Sequence, residues 1–442
     1  MNPLIRQYKD IVAYKLPQGA LIAFHARNLE VAEISEELWE AFVSERVPVQ
    51  SDFQSLQSAL DVWNDVDSPS VRDQDLGSEV KTLTINVTQI CNLHCHYCAA
   101  GGDGTYGDPI RQISIERTFP QIRFFMDKLK PGQKISFIFL GGEPLLYPEA
   151  IRGIGQYALS LAKAKNIQVS FRIITNGTLI DERFVDLMDG LSPSITLSMD
   201  GDPVTNDLVR PQKNGKGSSE QALLGLDVLL KNRKSFGSIL IHSVFNRKNL
   251  NVVQAYRYFQ QFAVDGFDFT FDVTEKDEQA NLVFIEQMKK IAQLAFTAGG
   301  ESELRRIAFF DGIFSTLDAQ VRKVNHCGSG KSLLSLDSRN QIFSCPLMVS
   351  HKGEQVGTGI ELNLQKLEPL QAPLIGMNNC GRCWARNLCG GGCLYNHKAT
   401  TGDAHTKHPT YCDRTRSLIF EAISYYKQTR AEGAFHGEDS GI

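Results

Sequence analysis

Six short runs rich in β-branched and aromatic residues alternate with helix-length segments in the middle of this chain. Their letters are LTINVT, KISFIFL, VSFRIIT, SITLSM, SILIHSVF and FDFTFDV, between residues 83 and 273. Apolar residues recur at helical spacing between the runs, as in 251–264 and 281–296. Strands of near-continuous apolar character that alternate with helices predict a parallel sheet covered by helices. Six units fall short of a complete barrel, so the pattern predicts an α/β fold with a partial (β/α)6 barrel.

The region before the first run has a different pattern. DIVAYKL and ALIAFHA, on either side of PQG, predict a β-hairpin, and residues 34–45 and 53–66 predict two amphipathic helices. This combination resembles a winged-helix-like module, and a packing extension of the main domain is the alternative. The polar segment 67–79 predicts a linker. We therefore predict three domains, at 1–75, 80–310 and 311–430.

The overall charge excludes some classes of partner. The chain has 46 basic and 50 acidic residues and a formal net charge of -4, which provides no general attraction to nucleic acid or anionic membrane. The first 30 residues lack the apolar run of a signal peptide, and no apolar stretch reaches the roughly 18 residues of a membrane span. We expect a cytoplasmic protein that binds neither nucleic acid nor membrane.

Ten cysteines fall into two groups. The first group is Cys91, Cys95 and Cys98, directly after the first predicted strand, and the other seven lie beyond residue 326. A reducing cytosol disfavours disulfides, so metal or redox chemistry explains them better. Ligand sites lie at the carboxyl ends of parallel strands, where the first group is expected. Its spacing would let three thiolates hold a 4Fe–4S cluster with one open iron, and a zinc knuckle or a ferredoxin-type cluster are the alternatives.

The segment CNLHCHYC resembles the CxxxCxxC signature of radical S-adenosylmethionine (radical SAM) enzymes. In that family SAM chelates the open iron, and its cleavage yields a 5'-deoxyadenosyl radical that abstracts a substrate hydrogen. The resemblance implies that Tyr97 lies beside the adenine. LGGEP, at the end of the second run, resembles the family's glycine-rich motif, which implies that the methionyl amine is bound by Gly141, Gly142, Glu143 and Pro144.

Three further motifs have counterparts in the family. ITNGTLI and SMDG end the third and fourth runs, and the resemblance implies that Asn176 and Ser198 contact the ribose or carboxylate side of SAM. NDLVRP implies that Arg210 pairs with the SAM carboxylate, for which a guanidinium fork is well shaped. The alternatives are ordinary helix caps and turn formers.

The C-terminal run CGRCWARNLCGGGC contains paired cysteines that could bind zinc. The complete order of seven cysteines resembles the SPASM domain, which holds two auxiliary iron–sulfur clusters. The resemblance implies an outer cluster on Cys380, Cys383, Cys389 and Cys412, and an inner cluster on Cys327, Cys345 and Cys393.

The chain departs from the SPASM pattern at two positions. Asn340 stands where the pattern has glycine, and asparagine tolerates a left-handed turn. Val321 stands where some members have an eighth cysteine, so the inner cluster lacks one thiolate. Water, a side chain such as His326, or a thiolate of the substrate would be its fourth ligand.

The resemblance implies a maturase that forms a C–C or thioether crosslink in a ribosomally made (RiPP) precursor peptide. The stretch CAAGGDGTYG after the first cysteines and the N-terminal module, which would bind the leader, are similar to such maturases. The implied cofactors are SAM and three iron–sulfur clusters, with flavodoxin or ferredoxin as reducing partner. One alternative is a sulfatase-maturating enzyme that makes formylglycine. Another is a non-catalytic iron–sulfur electron-transfer protein, which would need neither GGEP nor Arg210. No catalytic side chain is identified from the sequence.

Overall fold

The computed structural model describes residues 5–16, 19–42, 58, 60–65, 68–72, 79–98, 112–349 and 351–435. Half of the predicted helix 53–66, most of the linker 67–79 and most of CAAGGDGTYG lie outside these residues. The chain forms two compact units. The sheet unit comprises Leu76–Ile291 and Cys327–Ala372, and the terminal unit comprises Met1–Asp75, Ala292–His326 and Pro373–Ile442. The division into three domains stays a prediction.

The strands are, in chain order, β1 Ile5–Tyr8, β2 Ile11–Lys15, β3 Leu21–His25, β4 Val31–Glu33, β5 Thr82–Thr88, β6 Lys134–Gly141, β7 Gln168–Thr175, β8 Ser194–Ser198, β9 Ile239–Phe245, β10 Gly266–Phe271, β11 Leu333–Leu336, β12 Gln341–Phe343, β13 Gln355–Thr358 and β14 Glu361–Leu362. The α-helices are α1 Glu36–Ala41, α2 over residues 60–64, α3 Ile115–Met126, α4 Pro148–Lys165, α5 Glu182–Leu187, α6 Pro203–Val209, α7 Ser219–Lys231, α8 Val252–Phe259, α9 Glu278–Arg305, α10 Ala308–Ala319, α11 Leu364–Leu367, α12 Leu374–Met377, α13 Arg386–Cys389, α14 Leu394–Thr401 and α15 Pro409–Phe435.

The sheet unit is built on one ten-stranded sheet. Strands β5 to β10 lie side by side in chain order, and each neighbouring pair is parallel. Helices separate these strands along the chain, as the alternating pattern predicts. The α/β class with a mostly parallel sheet is therefore confirmed, and it is consistent with a partial barrel.

The two faces of this sheet differ in exposure. Along β9, every second residue from Ile239 to Phe245 is buried, and the residues between them, Leu240, His242 and Val244, are partly exposed. Side chains of a strand alternate between the two faces, so the second set lies on the more open face.

Two predicted helices are present with different lengths. The apolar face predicted within 281–296 is buried in α9, at Phe284, Met288, Ile291 and Ala295. Helix α8 ends at Phe259, five residues before the predicted end. The chain turns there because β10 begins at Gly266 and must enter the sheet beside β9.

Strands β11 to β14 extend the sheet beyond β5 and were not predicted. Strand β11 pairs in parallel with β5, and β12, β13 and β14 follow antiparallel. Each has only two to four residues, too few for a clear alternation. Asn340, between β11 and β12, has φ of 62°, in agreement with its predicted left-handed turn.

The N-terminal strands form a separate antiparallel sheet in the order β1-β2-β3-β4. The predicted hairpin is β2 and β3, which pair from Ile11 opposite His25 to Lys15 opposite Leu21. Helices α1 and α2 cover this sheet through a buried apolar cluster that includes Trp39 and Leu60. The winged-helix-like assignment and the C-terminal iron–sulfur domain stay predictions.

In the described parts of the chain, no helix combines the length and apolar character needed to cross a lipid bilayer.

Candidate functional site

The three-cysteine loop follows β5 and is held against the segment after α6. The backbone N–H groups of His94 and His96 donate to the carbonyls of Pro211 and Val209, at 2.8 and 3.0 Å. These bonds place the loop at the carboxyl end of the parallel strands and bring it beside Arg210.

The loop's thiols differ in burial: Cys91 is buried, Cys95 is half-buried and Cys98 is exposed. Burial raises the pKa of the Cys91 thiol to about 12, with smaller contributions from the charges of Glu143 and the other two cysteines. Within the described residues, no three Cys, His, Asp or Glu side chains form a ready metal site. The donor chemistry nevertheless fits an iron–sulfur cluster, because three thiols without a disulfide share one loop, and iron would stabilise their thiolates.

Gly141 and Gly142 lie against the backbone that leads into the cysteine loop. The Gly142 N–H donates to the carbonyl of Thr88 at 2.8 Å. A Cβ at Gly142 would overlap the carbonyl of Ile90, and one at Gly141 would overlap that of Thr88. Gly141 also has φ of 141°, which favours glycine. These two glycines therefore allow close packing against the backbone of Thr88 and Ile90.

Glu143 is buried and joins the ends of β6 and β7. One carboxylate oxygen accepts from the N–H of Leu145 at 3.0 Å and from the Thr175 hydroxyl at 2.7 Å. The other accepts from the Asn176 N–H at 2.8 Å. Burial raises its pKa, although these three donors oppose the shift. A carboxylate has about four acceptor positions, so there is capacity for one further donor. Pro144 begins a single turn of 3-10 helix directly after it.

Asn176 connects the end of β7 to the cysteine loop. Its side-chain NH2 donates to the Asn92 side chain at 2.9 Å and is 3.8 Å from the Cys91 sulfur. Its side-chain oxygen accepts from the N–H and the hydroxyl of Thr178, at 3.0 and 2.7 Å. Asn176 therefore orients the loop in addition to any contact with a cofactor.

Tyr97 and Arg210 meet at a buried carboxylate, Asp200. The Tyr97 hydroxyl donates to Asp200, and the Arg210 guanidinium donates to the Tyr97 oxygen and lies 3.7 Å from Asp200. The other Asp200 oxygen accepts from the N–H of Val244 at 2.8 Å. Burial raises the pKa of Tyr97 well above its usual range, so the phenol stays protonated and can donate.

The position of Asp200 between Tyr97 and Arg210 was not predicted from the sequence. Its only signal was the Asp-Gly pair in SMDG, which also marks an ordinary turn. Ser198, two residues earlier, ends β8 and lies in register with His242 of β9. His242 lies in register with Asp268 of β10. Neither of these was predicted, because nothing in a single strand shows which residues lie opposite.

The predicted outer cysteines lie together in the terminal unit. Burial raises the pKa of the Cys389 thiol to about 12, with smaller contributions from the charges of Cys383, Cys412 and Cys380. The four sulfurs are therefore within electrostatic range of one another. Gly390, which ends α13, has φ of 73° and leaves no room for a Cβ beside the carbonyl of residue 325.

The predicted inner cysteines belong to both units. Cys393 precedes α14 in the terminal unit, and Cys327 and Cys345 belong to the sheet unit. The Nδ1 atom of His326 is 3.2 Å from the carbonyl of Cys389, which suits a ring that donates from Nδ1. The inner cluster and its fourth ligand stay predictions.

Comparison with known proteins identifies the family. Residues 85–254 match the model of the radical SAM superfamily. An uncharacterized protein of Methanocaldococcus jannaschii is 30% identical over 214 residues, which are 48% of this chain and 70% of that protein. The serine-type anaerobic sulfatase-maturating enzyme of Klebsiella aerogenes is 31% identical over 157 residues, 34% of this chain and only 37% of that enzyme.

Two solved structures share the fold. Native anSMEcpe with bound AdoMet and Cp18Cys peptide has a TM-score of 0.64 and 19% identity, and covers 79% of this chain and 99% of its own. Streptococcus suis SuiB bound to the precursor peptide SuiA has a TM-score of 0.52 and 14% identity, and covers 92% and 100%. The matched segment contains the cysteine loop, the GGEP turn and the Tyr97–Asp200–Arg210 cluster. This chain is therefore an enzyme of the radical SAM superfamily.

Proposed function

We propose that the enzyme modifies a ribosomally made precursor peptide by forming an intramolecular C–C or thioether crosslink between side chains. The observation that carries the radical chemistry is the group of three thiols beside the Tyr97–Asp200–Arg210 cluster at the carboxyl end of the sheet. A carrier of electrons would need no such buried, charged cluster.

Residues of this chain suit a bound SAM molecule. Cys91, Cys95 and Cys98 would ligate a 4Fe–4S cluster, and SAM bound to its open iron supplies the 5'-deoxyadenosyl radical. The remaining acceptor position of Glu143 suits an ammonium group, and unused N–H groups of Arg210 suit a carboxylate. Asp200 would orient both Tyr97 and Arg210 for this contact.

We also propose two auxiliary clusters and an external reductant. The outer cluster would use Cys380, Cys383, Cys389 and Cys412, whose thiols interact electrostatically. The inner cluster would use Cys327, Cys345 and Cys393. A flavodoxin or ferredoxin would supply the electron, and the enzyme would work in the cytoplasm.

The N-terminal sheet supports a peptide substrate. Strands β1 and β4 are its outer strands, and the side chains of β1 are exposed or half-buried. An outer strand has backbone donors and acceptors that can pair with an extended peptide. SuiB was solved with a precursor peptide, which is compatible with a leader bound in this way.

A second candidate function is sulfatase maturation, in which Cys or Ser is oxidised to formylglycine. The identity to the Klebsiella aerogenes enzyme favours it, although this chain spans only 37% of that enzyme. A leader-binding module would have no purpose in such an enzyme, so dependence on a leader separates the two functions.

The test uses anaerobically reconstituted protein with SAM, a reductant and three peptides. These are a peptide encoded by any short open reading frame found beside the gene, the same peptide without its leader, and a sulfatase-derived peptide with Cys or Ser at the target position. We expect the full precursor alone to lose two hydrogens by mass spectrometry without gaining a reactive carbonyl. A carbonyl-reactive product from the sulfatase peptide would support the second candidate, and no product from any peptide would contradict both.

The matched control replaces Cys91, Cys95 and Cys98 by Ala. Wild-type protein should bind roughly twelve iron atoms, and the control about eight, with no cleavage of SAM. Zinc without sulfide in the wild type would contradict the cluster assignment.

A further inference from the structure

One row of residues crosses three parallel strands beside the predicted SAM site. Ser198 of β8, His242 of β9 and Asp268 of β10 are in register. Neighbouring strands are about 4.8 Å apart, so these side chains are next to one another on one face. The row begins at Ser198, which is expected to contact SAM, and runs across β9 to β10, the edge strand of the sheet.

His242 and Asp268 form a hydrogen-bonded pair. The Nδ1 atom of His242 is 3.0 Å from a carboxylate oxygen of Asp268. When Nδ1–H donates to this carboxylate, the lone pair is on Nε2 and can accept a proton. The Thr270 hydroxyl of β10 is 3.4 Å from both ring nitrogens and limits rotation of the His242 ring.

The pair lies on the accessible face of the sheet. The His242 side chain is 25% exposed and that of Asp268 is 43% exposed, whereas the adjacent residues of β9, Ile241 and Ser243, are fully buried. A histidine that only fills the core would lie with Ile241 and Ser243 against the helices. The imidazole instead lies on the opposite, more open face of the sheet and is partly exposed.

We propose that His242 is the general base for the substrate and that Asp268 positions it. This inference rests on the proposed peptide modification. In that reaction a substrate C–H bond would break, and its hydrogen atom would pass to the 5'-deoxyadenosyl radical that bound SAM would supply. Formation of the new bond would then require the substrate to lose one electron, for which an oxidised iron–sulfur cluster would be the acceptor, and one proton, which Nε2 of His242 would accept.

The electrostatics around the ring suit this role. Burial and, to a smaller extent, the charge of Arg210 lower the pKa of His242. The hydrogen bond and charge of Asp268 and the charge of Asp200 raise it by more, so the pKa of His242 lies above its usual value. His242 and Arg172 also lower the pKa of Asp268, although burial opposes this. Asp268 thus remains ionised and stabilises the protonated ring. Because a base must start unprotonated, crosslinking should slow as the pH falls through the pKa of His242.

The test compares wild type with His242→Gln and Asp268→Asn, and uses His351→Gln and Asp189→Asn, both exposed, as controls. We expect His242→Gln to lower crosslinked peptide by about 100-fold or more while peptide-dependent 5'-deoxyadenosine still forms. Asp268→Asn should reduce crosslinking and shift the acidic limb of the pH–rate profile to lower pH. The controls should behave as wild type.

A second measurement is independent of the peptide. Histidine-selective NMR titration of the protein without substrate should give His242 a pKa above about 6.5 that falls in Asp268→Asn. Melting temperatures of each variant show whether it folds.

Two results would overturn the proposal. One is wild-type crosslinking and an unchanged pH profile in a folded His242→Gln variant. The other is a His242 titration that Asp268→Asn leaves unchanged. If wild type gives no crosslink with any peptide, the proposed function fails, and the titration alone then decides whether the pair exists as inferred.

Discussion

At the scale of single residues, Tyr97, Asp200 and Arg210 form a buried, charged group beside the cysteine loop. Asp200 accepts from Tyr97 and compensates the charge of the Arg210 guanidinium. Arg210 has five N–H donors in a fixed plane, and lysine cannot reproduce this geometry. Both charges are buried, so small changes in this group have larger effects than they would in water.

We therefore predict that Arg210→Lys weakens SAM binding by about tenfold or more, because a charge-assisted hydrogen bond contributes about 1.5–3 kcal/mol. Anaerobic calorimetry with SAM measures the affinity. Arg183→Lys is the control, since Arg183 pairs with Glu149 on the surface and should bind SAM normally. An unchanged affinity in Arg210→Lys would contradict the assignment.

At the scale of elements, the turn after β6 sets the position of the cysteine loop. The N–H groups of Gly142 and Glu143 donate to the carbonyls of Thr88 and Ile90, each at 2.8 Å. The turn thus supports the loop through backbone contacts, and only glycine fits at Gly142.

Gly142→Ala should force the two backbones apart and lower the free energy of unfolding by about 1–3 kcal/mol. It should also reduce the iron bound at the three-cysteine loop. Melting temperature and iron content measure these effects. Gly153→Ala is the control, because a Cβ there makes only ordinary contacts with the Ile115 side chain of α3, and alanine has a higher helix propensity than glycine. If Gly142→Ala and Gly153→Ala lowered the melting temperature and the iron content equally, the structural role assigned to Gly142 would be wrong.

At the scale of the whole molecule, the N-terminal sheet is part of the terminal unit and is bound to its cysteine-rich segment. Arg386 donates to Asp10, and the Asn387 side chain donates to the carbonyl of Ala26 at 2.8 Å. The rings of Tyr14 and Phe420 also meet, at 4.4 Å between centroids. Removing residues 1–75 would therefore disturb the segment around Cys383 and Cys389, so point substitutions test that region more cleanly than a deletion.

Asp10→Ala should leave the largely buried Arg386 guanidinium without this carboxylate and destabilise the terminal unit by about 1–3 kcal/mol. We expect a lower melting temperature and faster loss of about four iron atoms to a chelator. Lys15→Ala removes an exposed ion pair with Glu36 and serves as the control. If both variants lose iron at the wild-type rate, the sheet does not support the outer cluster.

The features that depend on local spacing were predictable from the amino-acid sequence alone. Alternating strands and helices indicated the parallel sheet, and the spacing of Cys91, Cys95 and Cys98 indicated the family, because both patterns are read within short segments. Asn340 was expected to tolerate a left-handed turn, and it does. Its side chain also donates to Thr118 and Gln121, which no local pattern indicates.

Contacts between residues that are far apart in the chain were not predictable from the sequence and depend on the folded structure. Asp200 accepts a hydrogen bond from Tyr97 and pairs with Arg210. His242 lies in register between Ser198 and Asp268 on the neighbouring strands. Strand β11 took its place beside β5, far from it in the chain. The physical reason is that strand register depends on the packing of whole faces against the helices and on backbone pairing across the sheet, and a single strand contains neither.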